Sequence, residues 1–113
     1  MALGVGSLNS NLEDVADFSG RGMTTTNLLD GIGLLKPDLV SAGSAIKGLS
    51  IATEKCEMKS GTSVSSAVMT GAVALVLSSI DNKNHRKEIQ NSALIRQALI
   101  KSSKRIKTRS VTE

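Results

Sequence analysis

A serine follows a Gly-Thr pair immediately before a long uncharged segment. Residues 61–63 read Gly-Thr-Ser, and residues 64–80 carry no charged side chain. Since such residues are typical of helix N-termini, the pattern predicts a turn followed by a helix over 63–80. The turn would expose the hydroxyl, and the free N–H groups of the first helical turn could stabilise negative charge on a carbonyl oxygen. Ser63 is therefore a candidate nucleophile for acyl transfer; a capped core helix is the alternative interpretation.

A nucleophilic serine needs a base to take its proton, and the sequence offers no convincing one. The one histidine, His85, lies in the polar run 81–87, which predicts a solvated loop beyond the helix. We therefore interpret His85 as an exposed loop residue. Asp14 and Asp17 lie in a turn-rich segment without a surrounding catalytic motif. The sequence thus predicts a nucleophile without its base, and a chain that is inactive alone.

Three motifs occur in order along the chain. Residues 17–22 read D-F-S-G-R-G, residues 36–43 read K-P-D-L-V-S-A-G, and residues 60–63 read S-G-T-S. This series resembles the C-terminal part of the catalytic domain of subtilisin-like serine proteases, the subtilases, where the blocks read F-S-x-R-G, K-P-D-[IV]-x-A-P-G and S-G-T-S-[MV]-[AS]. The resemblance covers residues 4–104. It implies a partial parallel-sheet α/β fold in which a buried central helix carries the nucleophile.

The same resemblance implies a serine-type endopeptidase that cleaves polypeptides through Ser63. A histidine oriented by an aspartate would take the proton, and the Ser63 N–H with an asparagine side chain would hold the oxyanion. In that family all three partners precede the stretch that begins here at Gly4, so they would belong to a missing N-terminal half. Ala67 and Val68 replace the proline and histidine expected there. A non-catalytic, subtilase-like remnant that binds a partner is therefore the alternative.

Within the family the chain is similar to the site-1 protease (subtilisin/kexin isozyme) group. Residues 18–25 read F-S-G-R-G-M-T-T against F-S-S-R-G-M-T-T, and residues 61–66 read G-T-S-V-S-S against G-T-S-V-A-S. Cys56 lies where that group has a cysteine. The resemblance alone suggests the secretory pathway. Although many family members bind structural calcium, no acidic cluster has suitable spacing, so no cofactor or metal site is expected in this chain.

Length and charge bound the remaining possibilities. The 113 residues fit one domain or part of one, which we expect to comprise residues 1–104 followed by a basic, disordered tail over 105–113. Nine of the 14 Lys and Arg residues lie in 83–109, without interleaved aromatic residues. We therefore expect no nucleic-acid partner, although salt-sensitive binding through this stretch is a third possibility. Serines, a threonine and a glycine interrupt the segment 61–80, which favours a buried helix over a membrane span.

The elements that would position Ser63 are short. Apolar runs predict strands over 2–8 and 38–41, an extended piece around Ile46, and a strand with a loop over 51–59, while residues 17–30 are predicted to be loop. Asn91 is a good N-cap for a last helix ending near Ser103, whose apolar stripe should pack inward; it comprises Leu94, Ile95, Ala98 and Leu99. A central helix that is apolar nearly all round needs more cover than these elements provide. We expect an open sheet edge and a chain that folds poorly by itself.

Overall fold

The computed structural model describes residues 2–23 and 35–106. Six strands are present in this part: β1 (Val5–Leu8), β2 (Gly22–Met23), β3 (Leu35–Lys36), β4 (Leu39–Ala42), β5 (Ile46–Leu49) and β6 (Cys56–Lys59). Three helices follow them, α1 (Thr62–Ser78), α2 (Lys83–Ile89) and α3 (Ser92–Ser102). The predicted strands at 2–8, 38–41 and near Ile46 are therefore confirmed, as are the central and last helices.

Strands β1 and β4 form a parallel pair at the centre of the described structure. Val5 lies opposite Leu39 and Leu8 opposite Ala42, and helix α1 packs against both strands. Two small antiparallel pairs, β2–β3 and β5–β6, flank this unit. A parallel strand pair covered by a helix confirms the partial α/β fold. It also places the beginning of α1 beside the C-terminal end of β4.

The outer edge of β1 is covered in part. Ser7 N–H donates to Ser19 Oγ at 3.0 Å, and Ser7 C=O accepts from Ala16 N at 2.9 Å. On β4, Val40 and Ala42 alternate with the residues whose backbone groups face β1. The N–H and C=O groups of Val40 and Ala42 therefore point away from β1. No partner for these groups occurs among residues 2–23 and 35–106. Within the described residues this edge of β4 is therefore unpaired, and the open sheet edge stays a prediction for the whole chain.

A buried carboxylate ties the sheet to α3. The Asp38 side chain is 3% exposed and accepts from Gly4 N at 2.7 Å, Lys36 Nζ at 2.5 Å and Arg96 Nη2 at 2.6 Å. Burial by itself would raise the pKa of Asp38, but the hydrogen bonds from Arg96, Lys36 and Gly4 outweigh it and hold that pKa well below its usual range. Asp38 and Arg96 are 58 positions apart in the sequence. Their contact therefore attaches α3 to the distant strand region that carries Asp38.

Helix α1 is not covered on all sides. Ser65 is its one fully buried residue, whereas Leu75 is 72% and Val76 60% exposed. Among the described residues, Ala16 is the single hydrophobic residue in the buried class. The central helix expected from the family resemblance is therefore present, and within the described residues it is buried on one face. The described strands and helices cover only the face of α1 that carries Ser65.

Two predictions about the C-terminal third need correction. The run 81–87 is not all loop, because residues 83–87 belong to α2. The helix can begin here because Asn82 Oδ1 accepts a hydrogen bond from Asn84 N at 3.0 Å. On α3, Leu94 and Ala98 are exposed, so only half of the predicted stripe, Ile95 and Leu99, is partly buried.

The predicted loop over 17–30 contains β2, and its remainder from 24 onward lies outside the described residues.

Candidate active site

Ser63 lies in the first turn of α1, with its side chain exposed. The helix begins at Thr62, and Gly61 precedes it with φ 154° and ψ 158°. This φ is one that L side chains rarely adopt, and a Cβ on Gly61 would lie 3.3 Å from Ser63 Oγ. Glycine at position 61 therefore allows the chain to enter the helix abruptly and leaves space beside the hydroxyl.

Three hydrogen bonds join the residues around Ser63 to the 41–45 segment, which comprises the end of β4 and the turn that follows it. Gly61 N donates to Gly43 O at 2.8 Å. On the buried side of the turn, Ser65 Oγ donates to Ser41 O at 3.3 Å. On the exposed side, Ala45 N donates to Ser60 Oγ at 2.9 Å. The contacts alternate along the segment, at positions 41, 43 and 45. They hold the chain on both sides of Ser63.

The packing beneath the turn leaves no room for a side chain at position 43. Ser65 and Ser7 are both 0% exposed. A Cβ on Gly43 would lie 1.8 Å from Ser65 Oγ, 2.6 Å from Ser7 Oγ and 2.8 Å from Gly61 O. Gly43 is therefore required for β4 to approach the first turn of α1 this closely.

The backbone at this turn can stabilise an anion. Thr62 and Ser63 are the first two helical residues, so their N–H groups have no acceptor within the helix. The next two donors are occupied, since Val64 N and Ser65 N both donate to Gly61 O, at 3.1 and 3.2 Å. Among the described residues the N–H groups of Thr62 and Ser63 donate to no acceptor, and they lie at the positive end of a 17-residue helix. This arrangement suits an oxyanion formed beside Ser63.

No proton acceptor for Ser63 is visible in the part of the chain that the structure describes. Its hydroxyl makes no hydrogen bond with a described side chain. His85 belongs to α2, and its side chain lies outside the described set. Asp14 and Asp17 are exposed residues of the segment after β1. The nearest basic group along the chain, Lys59 Nζ, pairs with Glu57 at 2.8 Å.

The Glu57 carboxylate belongs to the β5–β6 hairpin. Hydrogen bonds from Lys59 and Thr53 lower the pKa of Glu57 to about 2. A carboxylate with a pKa this low remains ionised at neutral pH and is a weak proton acceptor. The group therefore fixes the hairpin that leads into the Ser63 turn, and it is poorly suited to general-base chemistry.

Two asparagines upstream have local structural roles. Asn11 Oδ1 accepts from Glu13 N at 2.9 Å, and Asn9 Oδ1 accepts from Asp14 N at 3.4 Å. Both bonds close the turn after β1, as short asparagine side chains commonly do. Among the described residues, no hydrogen bond holds the side-chain amide group of either asparagine near Ser63.

The sequence indicated Ser63 but not the residues that hold it. Ser65 and Ser41 are 24 positions apart, and Ser60 and Ala45 are 15 apart. Spacing along the chain does not reveal contacts at such separations. Of the departures from the expected motif, Ala67 and Val68 are exposed on α1, so neither packs closely within the described part.

Within residues 2–23 and 35–106, no cluster of three or more His, Cys, Asp or Glu side chains could hold a metal ion. None of the helices in the same ranges has the length and hydropathy needed to span a bilayer.

Comparison with known proteins places these observations in a family. Residues 1–112 match the Subtilase family of peptidases. The chain is 40% identical over 104 residues to the membrane-bound transcription factor site-1 proteases of Mus musculus and Homo sapiens, a match that covers 92% of this chain and 9% of each relative. Identity to the subtilisin-like protease SBT6.1 of Arabidopsis thaliana is also 40% over 104 residues, covering 92% and 10%.

The chain therefore spans about a tenth of the length of the curated relatives it matches. The match nevertheless includes almost all of its own residues, among them the β1–β4 pair and the Ser63 turn. Together with the parallel strand pair and the helix packed on it, the match settles the assignment. This chain belongs to the subtilase family of serine peptidases.

Proposed function

We propose that the chain supplies the nucleophilic part of a serine endopeptidase site, with Ser63 as the nucleophile. The observation that carries the proposal is the Ser63 turn itself. An exposed hydroxyl lies beside two unoccupied N–H groups, on a helix start that the 41–45 segment holds by hydrogen bonds. Residues 1–104 would form the C-terminal part of the catalytic domain, and polypeptides would be the substrates.

In the proposed reaction Ser63 Oγ attacks a peptide carbonyl carbon. The oxygen gains negative charge and accepts from the free N–H groups at the start of α1. The amine then leaves, and water hydrolyses the acyl-serine ester. This sequence of bond changes requires a base to take and return the serine proton. We propose that the base, its orienting aspartate and the oxyanion asparagine come from polypeptide outside these 113 residues.

The exposed surface of α1 supports this division of the site. Leu75 and Val76 are more than half exposed on a helix whose Ser65 face packs on the sheet. An apolar helix face of this kind is stabilised when another element covers it. Leu75 and Val76 lie in the last turns of α1, so a polypeptide that brought the histidine to Ser63 would cover them only if it also extended along the helix.

The proposal is tested by labelling with a fluorophosphonate, which reacts with activated serines. The native polypeptide is captured from its source cells with an antibody against residues 91–104, and Ser63→Ala and Ser66→Ala are introduced into its gene. We expect labelling of the wild type and of Ser66→Ala, and none of Ser63→Ala. Ser66 is a matched control because its side chain is exposed three residues along the same helix. If both variants are still labelled, the assignment of Ser63 as the nucleophile is refuted.

The 113-residue chain by itself provides the complementary measurement. We expect it to react no faster than a free serine, because an unassisted hydroxyl remains protonated. If the native polypeptide is also unreactive, the second candidate gains support: a non-catalytic subtilase domain that binds a partner. The observation that favours this candidate is the absence of a proton acceptor at Ser63 among the described side chains.

A further inference from the structure

We propose that Ser60 and Ser65 are positioning residues for Ser63, and that they act through the 41–45 segment. The proposal rests on the proposed function, because it assigns these hydroxyls a role in holding the nucleophile. Neither side chain is suggested to touch the substrate. What they hold is the direction in which α1 begins, and with it the direction of the Ser63 Oγ and N–H.

The two hydroxyls lie on opposite sides of the nucleophile turn. Ser65 is 0% exposed, and its Oγ donates to Ser41 O at 3.3 Å at the end of β4. Ser60 is exposed, and its Oγ accepts from Ala45 N at 2.9 Å. Since Ser63 lies between them in the chain, movement of the turn toward or away from β4 would break one of these bonds.

Within the described residues, the backbone ties the turn to the 41–45 segment only weakly. The N-cap position has no side-chain hydrogen bond, because Gly61 occupies it. The bonds from Val64 N and Ser65 N to Gly61 O belong to the helix itself, and one further backbone bond, from Gly61 N to Gly43 O at 2.8 Å, joins this flexible residue to the segment. A glycine has more backbone conformations available than any other residue, so one bond leaves it poorly restrained. The two serine hydroxyls supply the missing restraint.

The conformation of Ala45 supports a role for Ser60. Ala45 has φ 55°, in the left-handed region that is unfavourable for an L residue. The residue is exposed, so packing does not account for this conformation. Its N–H is instead fixed by Ser60 Oγ, the residue immediately before Gly61. The turn at 43–45 is therefore shaped to meet the chain that carries the nucleophile.

The experiment compares the double variant Ser60→Ala/Ser65→Ala with Ser66→Ala and with Ser60→Thr, which keeps a hydroxyl. Each variant is placed in the native polypeptide, and folding is compared by circular dichroism. The fluorophosphonate inactivation is then resolved into probe binding and reaction. We expect the reaction rate constant of the double variant to fall about tenfold, since small displacements of reacting groups slow reactions strongly. Probe binding should be unchanged, and both controls should react like the wild type.

A second measurement does not depend on catalysis. Amide hydrogen exchange of the peptide spanning 60–66 reports the bond from Gly61 N to Gly43 O. We expect this peptide to exchange about tenfold faster in the double variant, while peptides from β1 keep their protection. Unchanged exchange and an unchanged reaction rate would overturn the positioning role. If the wild type itself fails to label, the peptidase proposal fails, and the exchange result alone decides whether the hydroxyls hold the turn.

Discussion

Replacing Gly43 by alanine would place a methyl group where the structure has no space. The new Cβ would lie 1.8 Å from Ser65 Oγ and 2.8 Å from the backbone oxygen of Gly61. Ordinary contacts to carbon are about 3.5 Å or longer, so one partner must move by more than an ångström. Ser65 is fully buried and cannot swing into solvent. The movement would therefore fall on the helix start that carries Ser63.

The expected cost is at the upper end of the range for overpacking. Such insertions typically destabilise by about 1–3 kcal/mol, and we expect about 3 kcal/mol for Gly43→Ala because all three crowded atoms belong to fully buried side chains or to the backbone. Gly48→Ala is the matched control, since a Cβ there would meet nothing within 4 Å. Its effect on the free energy of unfolding should be within about 0.5 kcal/mol.

The free energy of unfolding can be compared by pulse proteolysis in urea, with detection by the antibody against residues 91–104. Ser65→Ala should restore part of the stability of Gly43→Ala, because it removes the atom that lies at 1.8 Å. We expect a favourable coupling of about 1 kcal/mol in this double-mutant cycle. If Gly43→Ala is as stable as Gly48→Ala, the close approach of β4 to α1 is refuted.

Three further predictions concern other parts of the fold. The pKa of Asp38 is lowered in the folded state, so the ionised Asp38 carboxylate stabilises the fold fully above its unfolded pKa of about 3.9. This contribution to the free energy of unfolding should be lost as the pH falls below that value. In an acid-unfolding series, Asp38→Asn should reduce the dependence of stability on pH. Ala45→Gly should raise the free energy of unfolding by up to about 1 kcal/mol in urea, because glycine adopts φ 55° freely, whereas Ala52→Gly should not. Asn91→Ala should cost about 1 kcal/mol and reduce helicity by circular dichroism, because Asn91 Oδ1 accepts from Ala93 N at 2.9 Å; Gln90→Ala is the control.

Each of these predictions has an outcome that contradicts it. The Asp38 network would be unimportant if Asp38→Asn left the acid-unfolding curve unchanged. Equal effects of glycine at 45 and at 52 would show that the backbone at Ala45 is not strained. A helix content that depends as much on Gln90 as on Asn91 would remove the capping role of the asparagine.

The start of the central helix could be predicted because its signals are local. The sequence predicted a start at 63 from the Ser and Thr residues and from the uncharged segment after them. The structure begins α1 at Thr62, with Gly61 rather than a hydroxyl residue at the N-cap. The N-cap role of Asn91 was equally local and is confirmed at 2.9 Å. In both places the deciding contacts lie within a few residues of each other along the chain.

Helix α2 was missed because its composition is polar. The run over 81–87 has no apolar period, so pattern alone favours a loop. The signal that could have revealed the helix is Asn82, whose side chain accepts from Asn84 N, as at many helix starts. Arg86 then fixes the turn by donating through Nε and Nη2 to Ile80 O, at 3.1 and 2.5 Å.

Long-range contacts account for the rest of what the sequence did not predict. The inward stripe of α3 was only partly correct, because the exposure of Leu94 depends on which elements lie nearby. What fixes α3 is instead the contact between Arg96 and Asp38, across 58 positions. For the same reason the sequence did not predict the position of Ser65 beneath the Ser63 turn, since its acceptor, Ser41, belongs to a distant strand.

The most direct test of the central claim is the position of the fluorophosphonate in the native polypeptide. The captured protein is labelled and digested, and the modified residue is identified by tandem mass spectrometry. The account predicts a single modified serine, Ser63, in the peptide that begins after Lys59. A modified serine elsewhere, or full peptidase activity in Ser63→Ala, would contradict it.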